Sequence, residues 1–215
     1  AAGGGRNESP ALSPVGMTLE FFDLANVPAT PWKNGGGSTR ELACWPPATA
    51  AAGGMDSFGW RVSVATIAAP GPFSAFAGVD RQIMLLGGDG VHLTSSGWQH
   101  TLAERWQPFA FSGDEAVDCT MLGGISTDFN LMLRRGVWEG ALQVVRSEPP
   151  PTGAGLCMVL QGRWQTVQAG QAARVLTVGQ GAWWLDAASP RLQPVRDPGS
   201  AEPVLAFVAL ERVAS

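Results

Sequence analysis

The sequence predicts an all-β protein made of two tandem jelly-roll barrels. Most patterned segments are short, rich in Val, Leu, Ile, Phe and Trp, and bounded by Gly, Pro, Asp or Ser, which is typical of strands. No long stretch keeps the apolar spacing of a helix. The predicted strands span residues 60–67, 81–87, 90–94, 128–135, 141–146, 155–160, 173–178, 182–186 and 203–210.

A weak internal repeat supports two barrels of one design. The segment IMLLGGDGVHL (83–93) aligns with CMVLQGRWQTV (157–167). Further on, QPFAFSGD (107–114) aligns with QGAWWLDA (180–187) at almost the same offset. Both copies contain a strand, a tight turn, a strand, a polar hairpin, a strand and an aromatic strand. Tandem β-units of this kind suggest a double cupin.

The repeat also predicts how the chain divides. The opening AAGGGRNESPALSPVG (1–16) lacks the apolar core of a signal peptide, so we expect a disordered leader or an artificial extension. The proline-rich SEPPPTG (147–153) lies between the two copies and suits a short, stiff connection. We expect a first cupin-like barrel with N-terminal strands over 17–146 and a second, smaller barrel over 147–215. Together they would form one bicupin unit.

Composition limits the classes of partner. The chain has 215 residues, a formal net charge of −4 and no basic block, so we expect no nucleic-acid partner. No apolar run approaches the roughly 20 residues that span a bilayer, so we expect no membrane partner. The three widely spaced cysteines, Cys44, Cys119 and Cys157, fit neither a disulfide framework nor a zinc site and predict a cytoplasmic protein. The sequence leaves a homodimer open.

Metal binding is the first possibility to consider in a cupin-like barrel, where metal sites combine several His with a carboxylate. The chain has only two histidines, His92 and His100. His92 lies near the position of a metal-binding H-x-H pair, but position 94 is Thr. We therefore expect no metal and no cofactor. A G-x-S-x-G elbow is also absent, and the glycine run at 35–37 lacks the order of a phosphate-binding P-loop.

Polar residues on strand faces are the strongest functional signal. In DFNLMLRR (128–135), alternation places Asp128, Asn130 and Arg134 on one face and apolar residues on the other. Similar polar positions in neighbouring segments are Arg61, Ser63, Ser74, Asp80 and Arg81. Each arginine alone fits a solvated face or a structural ion pair. Together with Lys33 and Arg40 they indicate an anionic ligand, and Asp80, Asp128 and Glu41 could orient them by pairing.

The stretch PWKNGGGSTREL (31–42) contains three consecutive glycines beside Lys33, the only lysine of the chain. Two interpretations remain open from the residues alone. The glycine amides could converge on an anion as a nest, with Lys33 and Arg40 on either side. Alternatively, the glycines allow a tight, irregular crossing between strands.

Three motifs together resemble the HutD/Ves family: PWKNGGGSTREL (31–42), the segment from FGWRVSV to GDGVHL (58–93), and DFNLMLRR (128–135). The resemblance covers residues 17 to about 210. It implies a bicupin without the usual metal ligands and a small pocket linked to bacterial histidine utilisation. It also implies an acidic ligand such as urocanate or N-formylglutamate, and no settled enzymatic activity. The family-typical positions are Trp32, Lys33, Asn34, Gly35, Gly36, Gly37, Thr39, Arg40, Glu41, Arg61, Ser63, Phe73, Ser74, Asp80, Arg81, Asp128, Asn130 and Arg134.

We therefore predict a metal-independent protein that binds a small anionic metabolite at these residues. Arginines would clamp the carboxylate, and Trp32 and Phe73 would form apolar walls. One alternative is a cupin-type isomerase or hydrolase in which Lys33 or Asp128 acts as acid or base. Another is a stress-related scaffold without a ligand.

Overall fold

The computed structural model describes residues 18–47 and 57–215, so the leader predicted for residues 1–16 lies outside the described residues. The described part contains β-strands and one short 3-10 turn, Leu24–Asn26. None of its segments is a helix long and apolar enough to cross a membrane. The strands are β1 (Thr18–Asp23), β2 (Thr30–Pro31), β3 (Gly37–Trp45), β4 (Trp60–Ile67), β5 (Gly71–Pro72), β6 (Val79–Gly87), β7 (Val91–Thr94), β8 (Gln99–Leu102), β9 (Phe109–Ser112), β10 (Asp118–Met121), β11 (Ser126–Arg134), β12 (Trp138–Val145), β13 (Ala154–Gln161), β14 (Arg163–Val167), β15 (Arg174–Leu176), β16 (Gln180–Leu185), β17 (Arg191–Val195) and β18 (Val204–Arg212).

Two barrels, each made of a large and a small sheet, form the described protein. In the first, a six-stranded sheet of order β2-β3-β4-β11-β6-β9 is combined with a four-stranded sheet of order β5-β10-β7-β8. In the second, a five-stranded sheet of order β1-β16-β13-β18-β12 is combined with a three-stranded sheet of order β15-β14-β17. Each pair of sheets shares its own apolar core, with Leu85 and Leu93 in the first and Val159 and Trp164 in the second. The predicted all-β architecture of two jelly-roll barrels is confirmed.

A third core joins the two barrels. It is formed by the outer faces of the six-stranded and five-stranded sheets, which pack back to back through residues such as Leu131, Leu156 and Val208. At its centre, the rings of Trp60 and Trp183 meet edge to face with centroids 5.8 Å apart. Burying this much apolar area makes the two barrels one packed unit.

The predicted repeat corresponds to equivalent strands. Both β6 and β13 lead into a short turn, where Gly88 and Gly162 have φ of +89° and +70°. Met84 and Met158 occupy matching positions in the core between the barrels. β9 pairs with β6, and β16 pairs with β13 in the same way. The nine predicted strands correspond to β4, β6, β7, β11, β12, β13, β15, β16 and β18.

The strand pairing divides the chain differently from the predicted boundary after residue 146. β1 pairs with β16, and β12 pairs with β18, so both strands belong to the second barrel's large sheet. The proline-rich connection therefore lies within the second barrel and does not separate the two. Backbone pairing, which a sequence pattern does not report, decides to which sheet such an edge strand belongs.

Candidate functional site

The site predicted from strand alternation lies inside the first barrel. β4, β11 and β6 are neighbours, and Asn130 on β11 lies opposite Ser63 on β4 and Ile83 on β6. One face of each strand, with residues such as Val62, Met84 and Leu131, points to the core between the barrels. The other faces bring together five buried polar residues, which we call the interior polar cluster: Arg61, Ser63, Arg81, Asp128 and Asn130. The structure thereby confirms that Asp128 and Asn130 share one face of β11.

Arg81 lies in a cage of three phenylalanine rings. Its guanidinium carbon is 4.9 Å from the ring centroid of Phe111, 5.4 Å from that of Phe76 and 5.6 Å from that of Phe73. Arg81 Nη2 donates to Asn130 Oδ1 at 3.3 Å, while Nε has no hydrogen-bond partner among the described residues. Burial, together with the nearby charge of Arg61, lowers the pKa of Arg81 to about 10. No carboxylate of the described residues neutralises this guanidinium.

Arg61, the second arginine of the cluster, has a carboxylate partner. Arg61 Nε donates to Oε1 of Glu41 at 2.8 Å. The Glu41 side chain is 42% exposed, whereas that of Arg61 is 9% exposed, so the pair connects the barrel interior with solvent. The predicted pairing of Glu41 with an arginine is confirmed, and it leaves Arg81 as the uncompensated cation of the cluster.

Asp128 is the least compensated acid. Its side chain is fully buried, and neither carboxyl oxygen has a hydrogen-bond partner among the described residues. Burial raises the pKa of Asp128 to about 7. Cys119, inside the same barrel, has its pKa raised to about 12 by burial and by the charge of Asp128. The predicted pairing of Asp128 with an arginine does not occur among the described residues.

The glycine motif forms a tight turn between β2 and β3. Gly35 N donates to the Trp32 carbonyl at 3.0 Å, and Gly36 N donates to Asn34 Oδ1 at 2.9 Å. Gly35 has a φ of +73°, and a Cβ on Gly37 would lie 2.3 Å from the Thr66 carbonyl oxygen. Two of the amides expected for an anion nest are thus already used inside the turn. The geometry favours the tight crossing, and ligand binding by these glycines stays a prediction.

Several predicted site residues lie apart from the interior polar cluster. Trp32 packs against the first barrel's core and donates from Nε1 to Thr39 Oγ1 at 2.7 Å. Lys33, Arg40 and Ser74 are exposed. Their roles in binding stay predictions.

Asp80 and Arg134 have structural partners. Asp80 forms an exposed ion pair with Arg135 at 2.8 Å, so it does not orient the arginines of the cluster as we expected. Arg134 donates from Nε to the Phe58 carbonyl at 3.3 Å and from Nη1 to the Ala77 carbonyl at 3.1 Å. The side chain therefore ties two loops to the barrel.

Sequence reasoning missed two walls of the cage, Phe76 and Phe111. Phe111 lies directly opposite Arg81 in the pairing of β6 with β9. The alternation in FAFS (109–112) could have placed Phe111 inside the barrel, but only with knowledge of that pairing. Phe76 lies in the loop before β6, where no periodic signal exists.

The two histidines do not fit the metal site of a cupin barrel. His92 lies between the fully buried Val91 and Leu93 and points to the opposite face of β7, where its ring nitrogens meet Thr101 Oγ1 and Gln99 Oε1. His100 stacks on Phe109 with ring centroids 3.9 Å apart. Among residues 18–47 and 57–215, no group of three or more His, Cys, Asp or Glu could hold a metal ion. The donor set therefore gives no basis for a metal-dependent step.

A family model and curated relatives identify the family of this chain. The family model described as HutD matches residues 24–199. The chain belongs to the HutD family. Among curated relatives, Protein Ves of Escherichia fergusonii is 38% identical over 172 residues, covering 78% of this chain and 84% of that protein. Protein Ves of Citrobacter koseri is 40% identical over 172 residues with the same coverage.

Solved structures share the fold of this HutD-family chain. A conserved protein of unknown function from Pseudomonas aeruginosa PAO1 is 31% identical with a TM-score of 0.76, covering 90% of this chain and 99% of that one. HutD from Pseudomonas fluorescens SBW25, solved in a formate condition, is 28% identical with a TM-score of 0.72, covering 92% and 100%. A cupin 2 conserved barrel domain protein from Leptotrichia buccalis is only 7% identical, with a TM-score of 0.57 over 89% of this chain and 96% of that one. That likeness shows the cupin fold alone.

Proposed function

We propose that this HutD-family protein binds a small carboxylate in its first barrel and thereby modulates bacterial histidine utilisation. Arg81 carries the proposal, because it is a buried cation without a carboxylate partner among the described residues. Urocanate and N-formylglutamate are the candidate ligands. The proposal places the protein in the cytoplasm and requires no cofactor.

The chemistry of Arg81 supports an anionic ligand. Burying an uncompensated guanidinium costs free energy, and three aromatic faces return only part of that cost. A carboxylate between Arg81 and Arg61 would supply the missing negative charge through charge-assisted hydrogen bonds. The phenylalanine cage would contact the apolar part of a small ligand while excluding water.

Titration calorimetry tests this proposal directly. Urocanate, N-formylglutamate and histidine are titrated into the wild-type protein and into an Arg81→Met variant, with Arg191→Met as the control. Arg191 is an exposed residue of the second barrel that pairs with Glu148. We expect at least one acid to bind wild type and the control, and to lose about a hundredfold or more in affinity on Arg81→Met. No heat with any compound at millimolar concentration would refute the proposal.

A second candidate function, catalysis on a small acidic metabolite, is favoured by Asp128. A buried carboxyl whose pKa is raised to about 7 suits a general acid or base at neutral pH. Lys33, the other predicted acid–base residue, is exposed at the turn between β2 and β3. If purified protein consumes a pathway intermediate and the turnover is lost on Asp128→Asn, the protein is an enzyme. Binding without turnover in either protein excludes this candidate for the compounds tested.

A further inference from the structure

The Asp128 carboxyl has no role in an anion site made of arginines. It is fully buried, both oxygens lack hydrogen-bond partners among the described residues, and it lies in the same interior as Arg81. Buried polar groups in native proteins are almost always satisfied, so an orphaned carboxyl calls for a specific explanation. When ionised, this carboxylate would repel the ligand's own carboxylate, so we expect it to meet another part of the ligand.

Three neighbouring donors are engaged elsewhere. Asn130 Nδ2 donates to the backbone carbonyl of Asp128 at 3.3 Å, and Arg61 Nε donates to Glu41. The Cys119 thiol is directed to the Thr120 carbonyl at 3.9 Å. What Asp128 lacks is therefore a hydrogen-bond donor.

Strand geometry places the two unsatisfied groups on the same interior face. The Arg81 guanidinium reaches the side chain of Asn130, and Asp128 is the next inward-facing residue along β11. Inward-facing neighbours on a strand are roughly 7 Å apart along the backbone. One small ligand could therefore contact both the arginine and the carboxyl.

We propose that Asp128 is a second anchor of the carboxylate site and accepts a hydrogen bond from an N–H group of the ligand. This inference rests on the proposed function and narrows it. The ligand class is then a small acid that also carries an N–H group, such as an imidazole or amide nitrogen. A ligand that instead brings a second carboxylate to Asp128 is disfavoured.

Such an anchor favours ligands with an N–H group over those without one, because Asp128 stays unpaired when the N–H is missing. Sites that hydrogen-bond a polar group of the substrate reject analogues lacking it, because the buried protein group is then desolvated without compensation. We expect at least tenfold weaker binding of an isosteric acid without N–H.

Paired titrations test the anchor. Urocanate is compared with 3-(2-furyl)acrylate, an acid of similar shape whose ring has no N–H, against the wild type and the Asp128→Leu and Asp128→Asn variants. Measurements are made at pH 8, above the pKa of about 7 that burial gives Asp128. Thermal melts show that each variant is folded. Arg81→Met reports separately on the carboxylate site.

The expected result is that wild type prefers urocanate by tenfold or more, and that Asp128→Leu removes this preference while leaving the affinity for furylacrylate within about twofold. Asp128→Asn, which keeps an oxygen acceptor, retains part of the preference. Equal binding of both acids to wild type, or a preference that survives Asp128→Leu, overturns the anchor. If both acids bind in an Arg81-dependent manner, that outcome leaves the proposed function intact. If neither acid binds, the proposed function fails for these compounds and the anchor fails with it.

Discussion

The two barrels have equivalent strands, but the interior of the first is polar where that of the second is apolar. Asp128 lies opposite Leu85 on β6, and the repeat-related Leu205 lies opposite Val159 on β13. By the same register, Phe207 replaces Asn130, and Gly155 replaces Arg81. The second barrel therefore has an apolar core at each of the positions where the first has an acid, an amide and a cation.

Aromatic residues fill the second barrel where the first has its cage. Arg81 faces Phe111 across β6 and β9, and Gly155 faces Trp184 across β13 and β16. The indole of Trp184 stacks on Phe207 with centroids 6.1 Å apart and lies against Gly155. One large ring thus takes the space that the guanidinium and a smaller ring share in the first barrel.

This contrast distinguishes residues that stabilise the barrel from residues that a binding site requires. The second interior, where Thr166 is a buried polar exception, shows that the barrel closes well on mainly apolar side chains. The first interior retains buried polar groups that cost free energy, and such costs concentrate at functional sites.

The largest expected effect is from moving the acid into the apolar barrel. Leu205→Asp buries a carboxyl in the second core, and we expect it to lower the free energy of unfolding by on the order of 4 kcal/mol or more. The reciprocal Asp128→Leu serves as the matched change and is expected not to destabilise. Urea unfolding at pH 8 measures both. Equal losses from the two changes would show that the interiors do not differ in the way argued.

A smaller loss is expected where Trp184 fills the second barrel. A Cβ on Gly155 would lie 2.6 Å from Trp184 Cζ2 and 2.6 Å from the Val208 carbonyl oxygen. Gly155→Ala should therefore cost about 3 kcal/mol through overpacking. Gly153→Ala is the control, because a Cβ there meets nothing within 4 Å. If both variants melt like wild type, the packing around Trp184 is looser than the distances indicate.

The pH dependence of stability reports on Asp128. Its pKa rises from the ordinary 3.8 to about 7 on folding, so between these values the folded state holds a proton that the unfolded state has lost. The free energy of unfolding therefore falls as pH rises from about 4 to 7. Asp128→Asn removes this penalty, and we expect the variant to be on the order of 4 kcal/mol more stable than wild type at pH 8 and nearly equal at pH 4. Parallel stability curves across this range would contradict a buried carboxyl.

The sequence predicted the first barrel's site better than its surroundings. Alternation in DFNLMLRR was enough to place Asp128 and Asn130 on one face, and alternation in WRVSVATI placed Arg61 with Ser63, because a strand has a fixed period of two. The cage around Arg81 depends on pairing between β6 and β9 and on a loop, which local patterns do not encode. For the same reason, local patterns could not predict which sheet β1 and β12 join. They also could not predict the ion pair between Asp80 and Arg135.

The smallest stability change is expected at Arg81. Met has a similar length and no charge, so Arg81→Met exchanges contacts of the cation with Phe111 for apolar packing and relieves the desolvation of the guanidinium. We expect the free energy of unfolding to stay within about 1 kcal/mol of wild type, measured by urea unfolding at pH 7. In the absence of ligand the arginine would then contribute almost nothing to folding, as expected for a residue kept to bind an anion. A loss of several kcal/mol would instead identify Arg81 as a structural part of the first barrel, equivalent in role to Trp184 in the second.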